Sequence, residues 1–364
     1  MIFLAQYPIG WIMHYCIRGT TVRHLYTTII GILFQLYVYR GEVKHVIIMT
    51  AVAYLLMSTM PRQSQAGYVM AWVLAYLSYQ HICSLLYSYG DYKMDITAYT
   101  MLLVCKLSAL AFCYKDGGEK NPEILTPDQK VRVVKELPSV FEIISYVFYS
   151  QACALGVFFE FSDYKRFIEE TDEYKNVPSP ILPSLKWLVQ AFICLGISLA
   201  GAAYFPIEFC WDEGYANLNF PARIGYYYIA MQMKKFFYYN PFSFTTGAII
   251  ASGLGYNGKS KEGQDRWDTV VSVYIYELET SSSPIDMLRY WNHMVHLWLK
   301  FYIFQRLVTP GKRPPGYANL ATFIVSAFWH GFYPFYYIMF FIAALLSEVS
   351  KDLYKARIFF NFIP

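Results

Sequence analysis

Residues 317–330 read Tyr317-Ala-Asn-Leu-Ala-Thr-Phe-Ile-Val-Ser-Ala-Phe-Trp-His330, an apolar stretch that ends in an ionisable side chain. It follows the basic, proline-rich turn Gly311-Lys-Arg-Pro-Pro-Gly316, which cannot enter hydrocarbon and therefore marks a membrane surface. The 14 residues from Gly316 to His330 rise about 21 Å in a helix, less than a hydrocarbon core of about 30 Å. His330 is therefore expected inside the membrane, where an ionisable residue indicates a functional site.

The helix is interrupted directly after this histidine. Gly331 and Pro334 follow at once, and irregular backbone at such a depth is tolerated only where protein or a water-filled cavity surrounds it. A histidine at this break predicts a buried cavity in which an imidazole can act on a substrate. The alternative is a histidine hydrogen-bonded within a helix interface, and the residue taken alone favours neither interpretation.

The composition is that of a membrane protein. Hydrophobic residues make up 56% of the 364 residues, charged residues only 15%, and the mean hydropathy is +0.28. Because a soluble chain is about a quarter charged, we expect an all-α, polytopic bundle of about nine to eleven membrane segments with short interfacial helices. The predicted spans are 22–39, 43–60, 66–87, 97–114, 139–159, 181–205, 220–239, 241–256, 317–331 and 333–348, with 2–17 as a short extra segment.

Several other functions find no support in the sequence. The net charge of +4 is scattered over loops and does not indicate nucleic-acid binding. The seven cysteines show no C-x-x-C spacing and no histidines show H-x-x-x-H or H-E-x-x-H spacing, so no metal site is predicted. Residues 253–260 match the phosphate-loop pattern, but a membrane span precedes them and no apolar helix follows, so we interpret them as a glycine turn.

Three polar regions divide the spans. Residues 115–138 and 162–183 carry charges and prolines, which place them outside the hydrocarbon. In the third, 257–316, Ser283-Pro-Ile-Asp286 predicts the start of a helix that runs to about Leu307. Asn292 and His296 lie four residues apart at the edge of its apolar stripe, a pattern suited to the floor or rim of a membrane cavity.

A set of short blocks resembles the membrane-bound O-acyltransferase family, and within it the lysophospholipid acyltransferase branch. The blocks are Gly253-Leu-Gly-Tyr-Asn-Gly258, Trp267-Asp268, Trp291-Asn292 with Trp298-Leu299, and Ser326-Ala-Phe-Trp-His-Gly331 followed by Tyr333-Pro-Phe-Tyr-Tyr337. Earlier segments fit as well: Asp91-Tyr-Lys-Met-Asp95, Lys106-Leu-Ser-Ala-Leu-Ala111, Asp116-Gly117, Leu137-Pro-Ser139 and Asp163-Tyr-Lys-Arg-Phe-Ile-Glu169. The resemblance runs from about residue 20 to the end and implies one membrane-embedded domain, 1–364, with a catalytic half at roughly 220–350.

The sequence departs from the family pattern at a few places. Val295 stands where the branch usually has threonine, Phe335 where it has glycine, and Gly156-Val-Phe-Phe159 where a Gly-Pro turn is common. Relatives usually continue for further spans, whereas this sequence ends at Pro364. A shortened C-terminal part is therefore expected.

The resemblance implies an active-site pair, with His330 as general base and Asn292 as the group that orients the acceptor hydroxyl or the thioester carbonyl. Around this pair it implies substrate-binding residues: Trp291, Trp329, Trp298, His296, Tyr256, Asn257, Lys300 and Arg306. Lys300 and Arg306 are candidates to meet the phosphates of CoA, although the ordinary positive-inside bias explains their charge slightly better. Acyl-CoA is expected from the cytosolic side as co-substrate and a lysophospholipid from the bilayer, with no metal or other cofactor.

Two other functions stay open at this stage. One is a non-catalytic subunit of a larger membrane complex that keeps the acyltransferase fold. The other is an acyltransferase whose acceptor is a sterol, a diacylglycerol or a protein. The enzyme interpretation places the chain in the endoplasmic reticulum, and the subunit interpretation admits another membrane, such as the mitochondrial inner membrane. Whether the chain forms homo-oligomers or joins a complex does not follow from the sequence.

Overall fold

The computed structural model describes residues 2–90, 95–153, 156–309 and 311–360. The part of the predicted block Asp91–Asp95 that precedes Asp95 therefore lies outside the described residues. The α-helices within these ranges are α1 (Ile2–Cys16), α2 (Thr20–Tyr39), α3 (Val43–Thr59), α4 (Gln65–Tyr87), α5 (Ile96–Asp116), α6 (Pro127–Arg132), α7 (Val140–Val147), α8 (Phe161–Glu169), α9 (Ile181–Tyr204), α10 (Glu213–Ala216), α11 (Phe220–Ser252), α12 (Ile275–Glu279), α13 (Pro284–Tyr290), α14 (His293–Leu299), α15 (Tyr317–His330) and α16 (Pro334–Phe360). No β-strand occurs in them, and a single bridge pairs Lys259 with Asp265. The all-α prediction is confirmed.

Four helical stretches among the described residues are long and apolar enough to cross a membrane. They are Thr20–Thr59, Gln65–Tyr87, Ile96–Asp116 and Ile181–Trp211. Their positions agree with the spans predicted at 22–39, 43–60, 66–87, 97–114 and 181–205. The chain is an integral membrane protein, and the larger number of segments expected from the sequence stays a prediction.

The predicted span at 139–159 is wrong. A capping box of Ser139 and Glu142 starts α7, but the helix ends at Val147 and a single 3-10 turn, Ser150–Ala152, follows. The reason is that side chains of the first two helices bind this backbone. The hydroxyl of Thr27 accepts from the Ser150 amide at 2.9 Å, and the amide of Gln6 donates to the Ser150 carbonyl at 3.0 Å.

The two spans predicted at 220–239 and 241–256 form one helix, α11, which continues through Pro241. Proline removes one helical donor, but neighbouring groups support the backbone here. The side chain of Asn240 donates to the Ala191 carbonyl of α9 at 2.7 Å, and the Thr245 hydroxyl donates to the Pro241 carbonyl at 2.9 Å. α9 packs along α11 throughout, so the proline does not end the helix.

The helix predicted from Ser283 to Leu307 begins as expected but is broken in the middle. The Ser283 hydroxyl accepts from the Asp286 amide at 3.2 Å and caps α13. Asn292 then takes a left-handed conformation, φ 44° and ψ 53°, before α14. The break arises because the preceding loop binds the backbone: the amide of His293 donates to Ser272 at 2.8 Å. After α14 the chain forms a π-turn, Lys300–Phe304, and a 3-10 turn, Gln305–Leu307.

The core is built around α5, which is buried along most of its length. The segment 293–307 runs parallel to it, as three contacts in register show. The Trp298 indole donates to the Ser108 hydroxyl at 2.9 Å, Tyr302 contacts Cys113 at 3.2 Å, and Arg306 binds Asp116 at 2.7 Å. Arg62, at the start of α4, donates to the Tyr114 carbonyl near the end of α5 at 2.7 Å. We call this end of the bundle, which also holds the turn 311–316, the basic end.

Candidate active site

His330 occupies the last position of α15, and Gly331 turns the chain away from the helix. Gly331 has φ 115° and ψ −163°, a conformation that side-chain-bearing residues rarely adopt. The His330 Nδ1 lies 2.7 Å from the Ser326 carbonyl oxygen one turn earlier. Because a carbonyl only accepts, Nδ1 carries the proton in the neutral ring and Nε2 keeps the lone pair. The imidazole is therefore held with a free basic nitrogen.

Aromatic rings surround this imidazole. The Trp329 ring lies 4.7 Å from it and the Phe340 ring of α16 lies 4.8 Å from it, both measured between centroids. Tyr336 follows at 5.8 Å. Rings at these distances limit the access of water to the imidazole.

His81 is a residue at this site that the sequence analysis missed. It lies in α4, and its Nε2 donates to the Trp329 carbonyl at 3.1 Å. Its ring also packs on the corner, since a Cβ added to Gly331 would lie 3.3 Å from the His81 imidazole. The feature of the sequence that could have identified His81 is its depth in the predicted span. It lies about 9 Å of helix before α4 ends at Tyr87.

The structure brings together two of the predicted tryptophans, Trp298 and Trp329. Their ring centroids are 6.3 Å apart, and both indoles bind α5. The Trp329 Nε1 donates to the Met101 carbonyl at 2.7 Å, as the Trp298 Nε1 does to Ser108. The two rings therefore connect α15 and α14 to the central helix, and this fixed packing positions the residues on either side of them.

Along the axis of α5, Asn292 is expected near the level of Trp329, the residue before His330. Trp298 is level with Ser108, and Asn292, six residues earlier, lies about 9 Å back along α5. Met101 of α5 lies at about this level, and its carbonyl accepts the hydrogen bond from Trp329. No hydrogen bond joins Asn292 to His330 within the part of the chain that the structure describes, and there the half-buried carboxamide of Asn292 has no protein partner. The carboxamide can therefore bind a ligand.

Trp291 and His296 lie on either side of Asn292 in the sequence, but their rings contact other residues. Trp291 packs against α11, with ring centroids 5.8 Å from Tyr239 and 5.9 Å from Phe242. His296 is half-buried and its ring stacks on that of His293 at 6.4 Å. The structure thus brings Trp291 to α11, and a role of either residue in binding substrate stays a prediction.

Lys300 and Arg306 differ in whether a neighbouring carboxylate neutralises their charge. Arg306 makes two bonds with the Asp116 carboxylate, at 2.7 and 2.8 Å, and only 17% of its side chain is exposed. Its charge is therefore largely neutralised. Lys300 is exposed, with its ammonium 5.0 Å from the Phe301 ring centroid. Of these two residues, Lys300 is better placed to meet a phosphate at the surface.

Tyr256 and Asn257 belong to a loop that is held mainly by its own contacts. The Tyr256 hydroxyl lies 3.3 Å from Asp265, and the Asn257 side chain donates to Asp268 at 2.8 Å. The backbone forms the bridge between Lys259 and Asp265, and no helix directly follows the glycines. This geometry agrees with the rejection of a phosphate loop, and the substrate role of both residues stays a prediction.

A buried carboxyl group lies near the basic end, outside the membrane-spanning helices. Glu160 accepts from the Tyr302 hydroxyl at 2.6 Å, and the Arg132 guanidinium of α6 lies 3.3 Å away. Burial raises the pKa of Glu160 to about 7, against the opposing effect of Arg132. The surface segment with α6 is thus connected through Glu160 to the π-turn that follows α14.

Together these groups form an arrangement suited to acyl transfer. An imidazole with an available nitrogen can take the proton of an alcohol, and an amide without a partner among the described residues can steady a developing oxyanion or orient the alcohol. The aromatic rings around His330 limit water.

Comparison with known proteins gives the same family throughout. The model of the membrane-bound O-acyltransferase family, MBOAT, matches residues 81–361. Lysophospholipid acyltransferase 6 of Drosophila melanogaster is 27% identical over 92% of this chain and 48% of its own length. The lysophospholipid acyltransferase of Schizosaccharomyces pombe is 29% identical over 96% and 70%, and lysophospholipid acyltransferase 2 of Arabidopsis thaliana 30% over 97% and 77%. The chain therefore spans about half of the fly relative and roughly three quarters of the other two.

Proposed function

Because the chain belongs to the membrane-bound O-acyltransferase family, we propose that it transfers a fatty acyl group from acyl-CoA to the hydroxyl of a lysophospholipid. The supporting relatives are named lysophospholipid acyltransferases and align over more than nine tenths of this chain. The observation that carries the proposal is the His330 imidazole, whose Nδ1 contacts the Ser326 carbonyl and whose Nε2 has no hydrogen-bond partner among the described residues. A base with this geometry is what an alcohol acceptor requires.

In the proposed reaction His330 Nε2 takes the proton of the lysophospholipid hydroxyl as its oxygen attacks the thioester carbonyl. The Asn292 amide donates to the oxyanion that forms, or holds the attacking hydroxyl. The C–S bond then breaks, CoA thiolate leaves, and the proton on His330 passes to it, so the imidazole is neutral again. The amide is uncharged and therefore costs less to bury than a carboxylate would.

The test is product formation by the full chain in phosphatidylcholine nanodiscs. A long-chain acyl-CoA is supplied with lysophospholipids of different headgroups, and the diacyl product is measured by mass spectrometry. A thiol reagent for CoA is avoided because the chain has seven cysteines, of which Cys16 is exposed. Sterol and diacylglycerol acceptors run in parallel to identify another acceptor class.

We expect wild type to form diacyl phospholipid and His330→Ala to lose about 10²- to 10⁴-fold in rate, the usual contribution of a general base. His45→Ala is the matched control, because His45 contacts Tyr76 and Glu42 and is not among the residues that contact His330. Wild type that is no faster than His330→Ala with every acceptor would overturn the enzyme proposal. It would favour a non-catalytic subunit, whose sign is a stoichiometric complex after purification.

A further inference from the structure

A small polar cavity lies away from His330, between the end of α1, the start of α2 and the chain after α8. Its volume is about 210 Å³. The lining includes three cations, Arg18, Arg23 and Lys175, and one carboxylate, Glu170. With the lining His14 neutral, three positive charges and one negative charge leave a formal charge of +2. An excess of positive charge in a concave, partly enclosed site attracts anions.

Arg23 is the central cation of this lining. Its side chain is only 3% exposed, so its charge is costly to bury unless it is well bonded. One nitrogen lies 3.2 Å from the Glu170 carboxylate, and another donates to the Phe167 carbonyl at 3.0 Å. The Nε is buried and has no hydrogen-bond partner within the described residues. A further acceptor in the cavity would satisfy this guanidinium.

Glu170 cannot balance the three cations alone. It accepts from Arg18 at 3.0 Å as well as from Arg23, so two arginines share one carboxylate oxygen. Arg18 is 62% exposed, and Lys175 is exposed and makes no ion pair among the described residues. Lys175 can therefore turn toward an incoming anion at little cost, and the exposed Arg18 can bind an anion beside Glu170.

The cavity also lies where a lipid headgroup would lie. α2 starts beside it, belongs to a stretch that is long and apolar enough to cross a membrane, and exposes a row of apolar side chains suited to contact lipid tails, Val22, Leu25, Ile29 and Leu33. Phe167 connects the cavity to α8, whose first turn adjoins Glu160 and thus Tyr302 near the basic end. A lipid whose tails lie along α2 therefore has its headgroup at the level of Arg18 and Lys175.

We propose that this cavity binds the phosphate of an anionic phospholipid from the surrounding bilayer, at a site separate from the active site. Arginine and lysine side chains are the groups that bind phosphate best, through charge-assisted hydrogen bonds. A formal charge of +2 disfavours a choline headgroup, which carries its own cation. At about 210 Å³ the cavity is smaller than the roughly 300–1,000 Å³ of sites for larger ligands, so it fits a headgroup rather than the nucleotide of CoA.

The test uses the full chain in phosphatidylcholine nanodiscs that contain increasing fractions of phosphatidic acid. Thermal unfolding is measured for wild type and for the double variant Arg18→Gln/Lys175→Gln, whose two side chains are exposed and so do not support the core. The control is Lys120→Gln/Lys261→Gln, which removes the same charge from exposed positions elsewhere. Inorganic phosphate and CoA are added to discs of pure phosphatidylcholine in separate arms.

We expect phosphatidic acid to raise the unfolding temperature of wild type and of the control at the same lipid fraction. The Arg18→Gln/Lys175→Gln variant should need about tenfold more lipid, the effect of losing one to two charged phosphate contacts. An equal response of this variant and wild type would overturn the proposal. A response to inorganic phosphate or CoA without a response to phosphatidic acid would overturn the assignment to a lipid. Neither outcome depends on acyltransferase activity.

Discussion

The imidazole of His81 lies 3.1 Å from the carbonyl oxygen of Trp329 and donates a hydrogen bond to it. A side chain of α4 therefore holds the peptide bond that joins Trp329 to His330. The same ring packs against Gly331, so His81 contacts the chain on both sides of the proposed base. We therefore expect His81 to position the base rather than to contact the substrate.

Replacing His81 is expected to lower kcat. His81→Ala removes the hydrogen bond and frees the corner, and a displacement of the base by about 1 Å costs up to a hundredfold in rate. The KM for lysophospholipid should stay within about twofold, because substrate binding does not use this bond. His81→Gln restores a donor and should recover most of the kcat in the product assay. Equal losses in both variants, or a change confined to KM, would contradict a positioning role.

Asn292 allows its backbone role to be separated from its side-chain role. Its φ of 44° is left-handed, a conformation that costs a residue such as alanine about 1 kcal/mol and glycine almost nothing. Asn292→Gly should therefore keep the unfolding temperature of wild type. Its kcat should fall about 10²-fold, because the side-chain amide is lost. Asn292→Ala should lose both stability and activity. An active Asn292→Gly enzyme would show that the residue serves only the break between α13 and α14.

The ion pair of Arg306 and Asp116 is expected to be structural. Asp116 is 6% exposed and Arg306 17%, and removing one partner of a buried pair costs about 3 kcal/mol. Asp116→Asn and Arg306→Gln should each destabilise strongly, while the double variant should be less destabilised than their sum. Chemical unfolding of the four proteins measures this coupling. A higher KM for acyl-CoA in Arg306→Gln, without loss of stability, would favour the phosphate-binding role instead.

Glu160 should make stability depend on pH. Its folded pKa of about 7 lies above the unfolded value of about 4.3. Between these values the folded chain holds a proton that the unfolded chain has lost, so stability falls as pH rises through about 4.5 to 7 and then levels off. In Glu160→Gln this slope should be absent, whereas the exposed control Glu136→Gln should keep it. Parallel slopes in all three unfolding series would show that the Glu160 carboxyl is not protonated.

The helices with simple apolar patterns were predictable from the sequence. α2, α3, α4, α5 and α9 fall where hydropathy places them. The start of α13 was also predictable, because a Ser-Pro pair with an aspartate after it satisfies the first helical amides locally. Each of these features depends on residues that are close in the chain.

The features that the sequence did not predict correctly depend on contacts between residues that are distant in the chain. The segment 139–159 is apolar enough for a span, but Thr27 and Gln6 bind its backbone and turn it. The helix is broken at Asn292 because the backbone amide of His293 donates to the Ser272 carbonyl. No sequence pattern around residue 292 predicts this break. His81 joins the site through a carbonyl 248 residues away. The functional pair His330 and Asn292 came from the family resemblance, and its catalytic roles stay a prediction.

The burial of α5 has a consequence for how the chain is made. Trp298 and Arg306 are synthesised 190 residues after Ser108 and Asp116, the partners they bind. Until then Ser108 and Asp116 on this face of α5 lack these partners. The helix therefore takes its final place late, after most of the chain has left the ribosome. We therefore expect membrane insertion of this protein to depart from the ordered release of one finished helix after another into the lipid.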